Sequence, residues 1–211
     1  MKHVFTAGVV LVGLTMAGCG EGAGGGGATP DATFEAMKKA AAKGDWTAMV
    51  AHTTPESQDV MIGGLTLMTQ FASALGGPDE AAKMKPVTEL LTKHGVNVDI
   101  KDDAKPAFPP PSPEEAEKKQ KEMMKKMTAN VKNKPACIGE VMATLEKSGD
   151  KKIADSNKEI LDSKLSDVKI EGDVAKGKLT VTKDGKEKTE DVEFKKINGK
   201  WYADMTKTKG M

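Results

Sequence analysis

No arginine occurs in the 211 residues; all 32 basic side chains are lysine, set against 31 acids. The planar five-donor fork that recognises phosphate, carboxylate and guanine bidentately is therefore missing, and only lysine's point charge remains for such ligands. Net charge is equally scarce. The formal +1 falls to zero if the first 18 residues, with Lys2, are removed, so no broad field steers the chain to nucleic acid, and no nucleic-acid partner is expected. Cysteine is limited to Cys19 and Cys137, which excludes a disulfide framework, and a chain of this length can build its core without one. From Pro30 onward there is no GxSxG, HExxH, Walker A or GxGxxG pattern. The run of glycines at 24–27 follows no strand and so makes no phosphate loop. Nothing in the chain implies a cofactor.

What is present begins at the amino terminus. Lys2 and His3 precede an apolar segment of about 12 residues that ends in the small residues Ala17 and Gly18, shorter than the ~20 residues of a membrane span. This is the build of a secretory signal over residues 1–18. The stretch Met16-Ala17-Gly18-Cys19 resembles the lipobox of bacterial lipoproteins. The resemblance implies cleavage before Cys19, lipidation of its sulfur and acylation of the new amino terminus, and more than one acyl chain anchors stably. Gly20, where aspartate would imply inner-membrane retention, implies the outer membrane facing the periplasm. Residues 19–29, rich in glycine, are expected to be a flexible tether, and residues 30–206 a single α+β domain.

Within that domain, residues 30–162 read as helical. Thr29-Pro30-Asp31 starts a helix that Gly44 stops, and Asp45 caps a short second one. Thr54-Pro55-Glu56 opens a third, with an expected inward stripe of Met61, Leu65, Met68, Ala72 and Leu75. A fourth runs from Asp79 to His94, with a bend expected at Pro86, and Val96, Val98 and Ile100 alternate like a short strand. Prolines in 105–113 mark an extended connection. Ser112-Pro113-Glu114-Glu115 forms a capping box, leading a helix whose inner face is expected to hold Ala116, Met123, Met127 and Val131. A further helix spans about 135–147. From 165 to 205 alternating pairs such as Val168/Ile170, Leu179/Val181 and Val192/Phe194, separated by Gly172-Asp173, Asp184-Gly185 and Asn198-Gly199, predict an antiparallel meander covered by the helices on one face.

Helices first and hairpins last, with Phe34, Gly44-Asp45 and Gly199-Lys200-Trp201 in place, resemble the exported lipoproteins with an NTF2-like (cystatin-like) α+β fold, here elaborated by extra helices. The resemblance implies a pocket between helix and sheet. Phe34, Trp46, Phe194, Trp201 and Tyr202 are its candidate aromatics, with core packing as their alternative role. Family members that are enzymes imply His52, His94, Asp45 and Tyr202 as candidates for acid–base work, although no carboxylate stands at a spacing that must orient either histidine. Met123, Met124 and Met127 are soft donors that suit Cu(I), and equally serve as core filling. Cys137, lacking a CxxC or a nearby histidine, reads as a buried thiol. These features together imply a lipid-anchored envelope protein whose non-catalytic domain binds a small apolar ligand, a peptide or another envelope protein through the concave side of the sheet. An NTF2-like enzyme and a methionine copper site remain the alternatives.

Overall fold

Short polar side chains open the helices at the positions their sequence assigns. In the computed structural model, which describes residues 24–99, 112–149, 151–183 and 186–206, Thr29 accepts the Ala32 amide ahead of α1 (Pro30–Ala42), and Asp45 accepts that of Ala48 ahead of α2 (Trp46–Ala51). Thr54 caps α3 (Pro55–Leu75), and Gly76, at the end of α3, leads into α4 (Gly77–Lys93). Ser112 and Glu115 close a full capping box on α5 (Pro113–Thr128), and Asn133 caps α6 (Lys134–Lys147). The short helix α7 (Lys151–Asp162) completes the helical part. Each cap satisfies an amide that the first helical turn leaves without a partner. Helix α4 continues through Pro86, whose missing donor strands only the carbonyl of exposed Ala82.

The rest is a four-stranded antiparallel meander: β1 (Lys164–Glu171), β2 (Val174–Lys183), β3 (Lys186–Ile197) and β4 (Lys200–Asp204), adjacent in chain order. Asn198 and Gly199 both take positive φ in the β3–β4 turn, as a tight hairpin requires. Asp167, at φ 53°, sits in a bulge where the β1–β2 register slips between Ser166 and Lys169. Ile170 beyond it is 56% exposed, so the alternation expected for β1 does not carry its whole apolar set inward.

The protein is therefore α+β, with seven helices among the described residues, and α1 and α7 packed on the sheet. A single hydrophobic cluster joins Ile62, Val87 and Leu91 of the middle helices to Ala175, Val192, Phe194 and Trp201 of the sheet, so helices and sheet share one core. At its tightest point α6 crosses α2 at Gly139, where a Cβ would lie 2.0 Å from Thr47 Oγ1. Cys137, two residues before Gly139 on α6, is fully buried, and burial first, then the Glu140 carboxylate, push its thiol up to about 11. A chain truncated to begin at Gly24 should accordingly show no thiol reactive toward a disulfide reagent at pH 8 until denaturant is added, when one appears. Reaction of the native thiol at a free-cysteine rate would contradict this placement.

Three expectations are corrected. The segment after Gly95 is no strand: Val96 is buried, the Asn97 amide donates to the Met127 carbonyl at 2.9 Å and Gln70 Nε2 to the Val98 carbonyl at 2.7 Å, so α3 and α5 hold it. On α5 the inner face is Met124, Met127 and Thr128, with Met123 half-buried and Ala116 exposed. The face is rotated because Met124 packs over Gly63 and the Thr128 hydroxyl donates to Asp59. The glycine tether, finally, does not extend to 29. Gly27 and Trp201 exchange backbone hydrogen bonds of 2.9 and 2.8 Å, extending the sheet edge, and residues 25–27 lie in a slot that admits no side chain. Cys19, the signal segment, Ile100, residues 105–111 of the proline-rich connection and the Asp184-Gly185 turn lie outside the described residues.

Candidate functional site

Helix α3 faces the wrong way for its composition. Its buried side carries Ser57, Gln58, Asp59, Ile62, Gly63, Thr66 and Thr69. These polar groups tolerate burial because each finds a partner: Thr66 Oγ1 donates to the Ile62 carbonyl at 2.9 Å, Thr69 Oγ1 to the Thr66 carbonyl at 2.8 Å, and Gln58 Nε2 to the Thr53 carbonyl at 3.0 Å. The Asp59 carboxylate meets Lys134 Nζ at 2.6 Å. With the hydroxyl side turned in, large apolar side chains are turned out. Met68 is 37% exposed, Phe71 62% and Leu75 80%, at the i, i+3, i+7 spacing of one helical stripe. Between Asp59 and Asp79 the sequence has no charged residue, so nothing on α3 interrupts that surface.

Beside the stripe lies an open cleft of about 380 Å³, lined by Thr69, Gln70, Ser73 and Ala74 of α3, Thr88 of α4 and the Val98-Asp99 segment. The inward stripe expected for α3 is thus overturned for Met68 and Leu75, while Met61 and Leu65 are half-buried. One signal was present in the sequence. Residues 60–75 are apolar on more than one side of the helix, an excess over what a single core-facing stripe can use.

None of the five candidate pocket aromatics lines this cleft. Phe34, Trp46, Phe194 and Trp201 are buried in the shared core, with Trp46 Nε1 donating to Glu146 Oε2 at 3.2 Å. Tyr202 is half-buried, and its hydroxyl donates to the Gly25 carbonyl at 3.0 Å. The acid–base candidates are dispersed as well. Asp45 caps α2, and His52, at the end of α2, accepts the Gly26 amide on Nδ1 at 3.1 Å. His94 ends α4, with Nε2 3.2 Å from Glu140 Oε2, and Lys93 Nζ lies 3.3 Å from the same oxygen. The His94 hydrogen bond first, then that of Lys93, hold the Glu140 carboxyl below its usual range. His52 and Tyr202 thus share a task, gripping the glycine segment, while His94 joins α4 to α6. Among the described residues no three His, Cys, Asp or Glu side chains are grouped to hold a metal ion. Met124 and Met127 are 5% and 1% exposed, committed to packing.

No described helix is long and apolar enough to cross a membrane. No protein-family model, curated protein or solved structure matches the chain.

Proposed function

We propose that this protein is an envelope lipoprotein, anchored through Cys19 to the outer membrane and facing the periplasm, whose folded domain is a non-catalytic interaction module. The observation that carries the second half is the α3 stripe. Three large apolar side chains at helical spacing are left in solvent while hydroxyls and a carboxylate fill the interior side. A stripe of this shape is matched by an apolar helix face on another envelope protein, whose side chains at the same three- and four-residue spacing interdigitate with Met68, Phe71 and Leu75. The adjoining cleft gives such a partner a place for one protruding side chain. The consumption of the aromatic set by the core supports a protein partner over a small apolar ligand. The order of helices before hairpins, with α1 laid on the sheet, supports the NTF2-like resemblance, which here carries no implication of turnover.

The test places a photo-crosslinking amino acid at position 71 in full-length protein in intact cells, with Cys19→Ser as companion. The expected result is a discrete adduct to one other protein, and acyl label on the wild-type chain that Cys19→Ser abolishes. An adduct to lipid, or a self-adduct accompanied by dimerisation of the soluble domain, overturns the partner assignment. Absence of acyl label overturns the anchor.

A further inference from the structure

The three glycines at 25–27 are not interchangeable with a flexible linker. At Gly25 a Cβ would lie 1.6 Å from the carbonyl oxygen of Ala51, a collision with backbone that no rotamer change relieves. Gly26 adopts φ +82°, and its Cβ would sit 2.6 Å from the Tyr202 ring. At Gly27 the obstacles are the Thr33 amide nitrogen at 2.6 Å and its hydroxyl at 2.7 Å. The segment is also bonded along its length. Tyr202 holds the Gly25 carbonyl, His52 the Gly26 amide, and Trp201 both backbone groups of Gly27, while Thr33 Oγ1 adds a contact of 3.1 Å to the Gly27 amide. A tether needs only freedom; this segment has donors, acceptors and a fitted slot, and behaves as a strap.

Resting on the lipid-anchor reading above, we infer that the strap seats the domain directly on the phospholipid headgroup surface, with the side formed by the end of α2, Lys200 and the strap toward the bilayer. Only five peptide steps separate Cys19 from Gly24. Fully extended they span at most about 18 Å, where a free chain up to Thr29 would reach about 36 Å. The headgroup layer itself takes up roughly 5–8 Å of that reach. Gly24 emerges near Lys200, whose Nζ would be 3.5 Å from a Cβ on that glycine, so a cationic side chain stands at the exit point facing lipid phosphate. Helix α3 starts from the same region: the Ala203 amide donates to the His52 carbonyl at 2.9 Å and the Thr54 amide to the Ala203 carbonyl at 2.9 Å. Its apolar stripe begins 13 residues into the helix, about 20 Å further along its axis.

The experiment uses full-length acylated protein, purified in detergent and reconstituted into phosphatidylcholine vesicles carrying an acceptor dye on a fraction of the headgroups. A donor dye is placed at Ala32→Cys, an exposed position beside Gly27 of the strap, with Lys200 kept and Cys137 remaining buried. Strong energy transfer is expected for the native tether. Inserting ten Gly/Ser residues between Glu21 and Gly22 leaves the strap intact but extends the reach to about 54 Å, and should lower transfer at least about two-fold. Gly25→Val, which evicts the strap, should move transfer toward the inserted variant while the domain still melts cooperatively. If Gly25→Val does not fold, the insertion comparison alone decides. Equal transfer with and without the insertion, on protein of acylated mass that floats with the vesicles, overturns the seating and leaves the anchor standing. Protein without acyl mass on Cys19 overturns both.

Discussion

Replacing Phe194 with alanine should cost about 3–5 kcal/mol, the largest loss expected from any single truncation in the sheet. The ring is 1% exposed and sits on β3 between two alanines, Ala175 across on β2 and Ala203 across on β4. Both neighbours are as small as a side chain can be while still presenting a methyl, so neither can swing into the vacated volume. The strands are fixed by ladder hydrogen bonds and cannot close on it. The cavity therefore persists, and its unrelieved surface adds to the lost transfer free energy. Urea unfolding of the domain from Gly24 onward would read this as a fall in midpoint with an unchanged slope. Phe71→Ala supplies the contrast. The same deletion on the α3 stripe, at 62% exposure, should stay within about 0.5 kcal/mol, since that ring packs little in the free protein. Equal losses at the two positions would mean that Phe71 belongs to the core, and the proposed interaction surface would lose its basis.

That contrast marks how far the sequence could be read. Local chemistry was legible throughout: Thr29, Asp45, Thr54 and Ser112 cap the helices assigned to them, and Asn198-Gly199 makes its hairpin turn. These features depend on a few adjacent residues, and their physics is complete within one turn. The facing of α3 was not legible, because apolar periodicity assumes that the greasier side goes inward. Thr66 and Thr69 escape the rule by bonding carbonyls of their own helix, which removes most of the cost of burying a hydroxyl. Met124 displaced Met123 from the inner face for a related reason: the bare Cα of Gly63 and the carboxylate of Asp59, both on another helix, set the rotation of α5. The strap failed most completely. Glycine is written identically whether it supplies freedom or close approach, and only the neighbours, Ala51, Tyr202 and Thr33, tell the two apart. The candidate site inherited these errors. Its aromatics were judged as a set by type, whereas the sheet had already claimed Phe194 and Trp201 for the core.

Asp204→Ala is expected to cost about 2–4 kcal/mol, because it disconnects the end of β4 from the first turn of α3. The carboxylate is fully buried; Oδ2 pairs with Lys195 Nζ at 2.6 Å, and Oδ1 accepts from the Thr206 hydroxyl at 2.6 Å, the Thr206 amide at 3.0 Å and the Ser57 hydroxyl at 3.3 Å. Ser57 in turn accepts the Met205 amide at 2.8 Å, so the network ties three consecutive residues of the chain to α3. Burial alone would raise the Asp204 carboxyl; the Lys195 ammonium and the Thr206 donors outweigh it, and the group is held below the usual carboxylate range. A carboxyl depressed by folding contributes stability that is present above its unfolded value, about 3.9, and is lost as pH falls through the lower folded value. Lys195, raised chiefly by its hydrogen bond to Asp204, contributes the opposite limb, present below about 10.4 and lost as pH rises through its folded value. Asp204→Asn keeps the shape and part of the acceptor capacity while removing the charge, so it should flatten both limbs of the stability–pH curve as well as lowering its plateau. Denaturant melts from pH 2 to 5 and from pH 9 to 11.5 read the two limbs separately. A variant that loses plateau stability but keeps both slopes would show that Asp204 acts only as a neutral acceptor in the β4–α3 junction, and that the charge on Lys195 is compensated elsewhere.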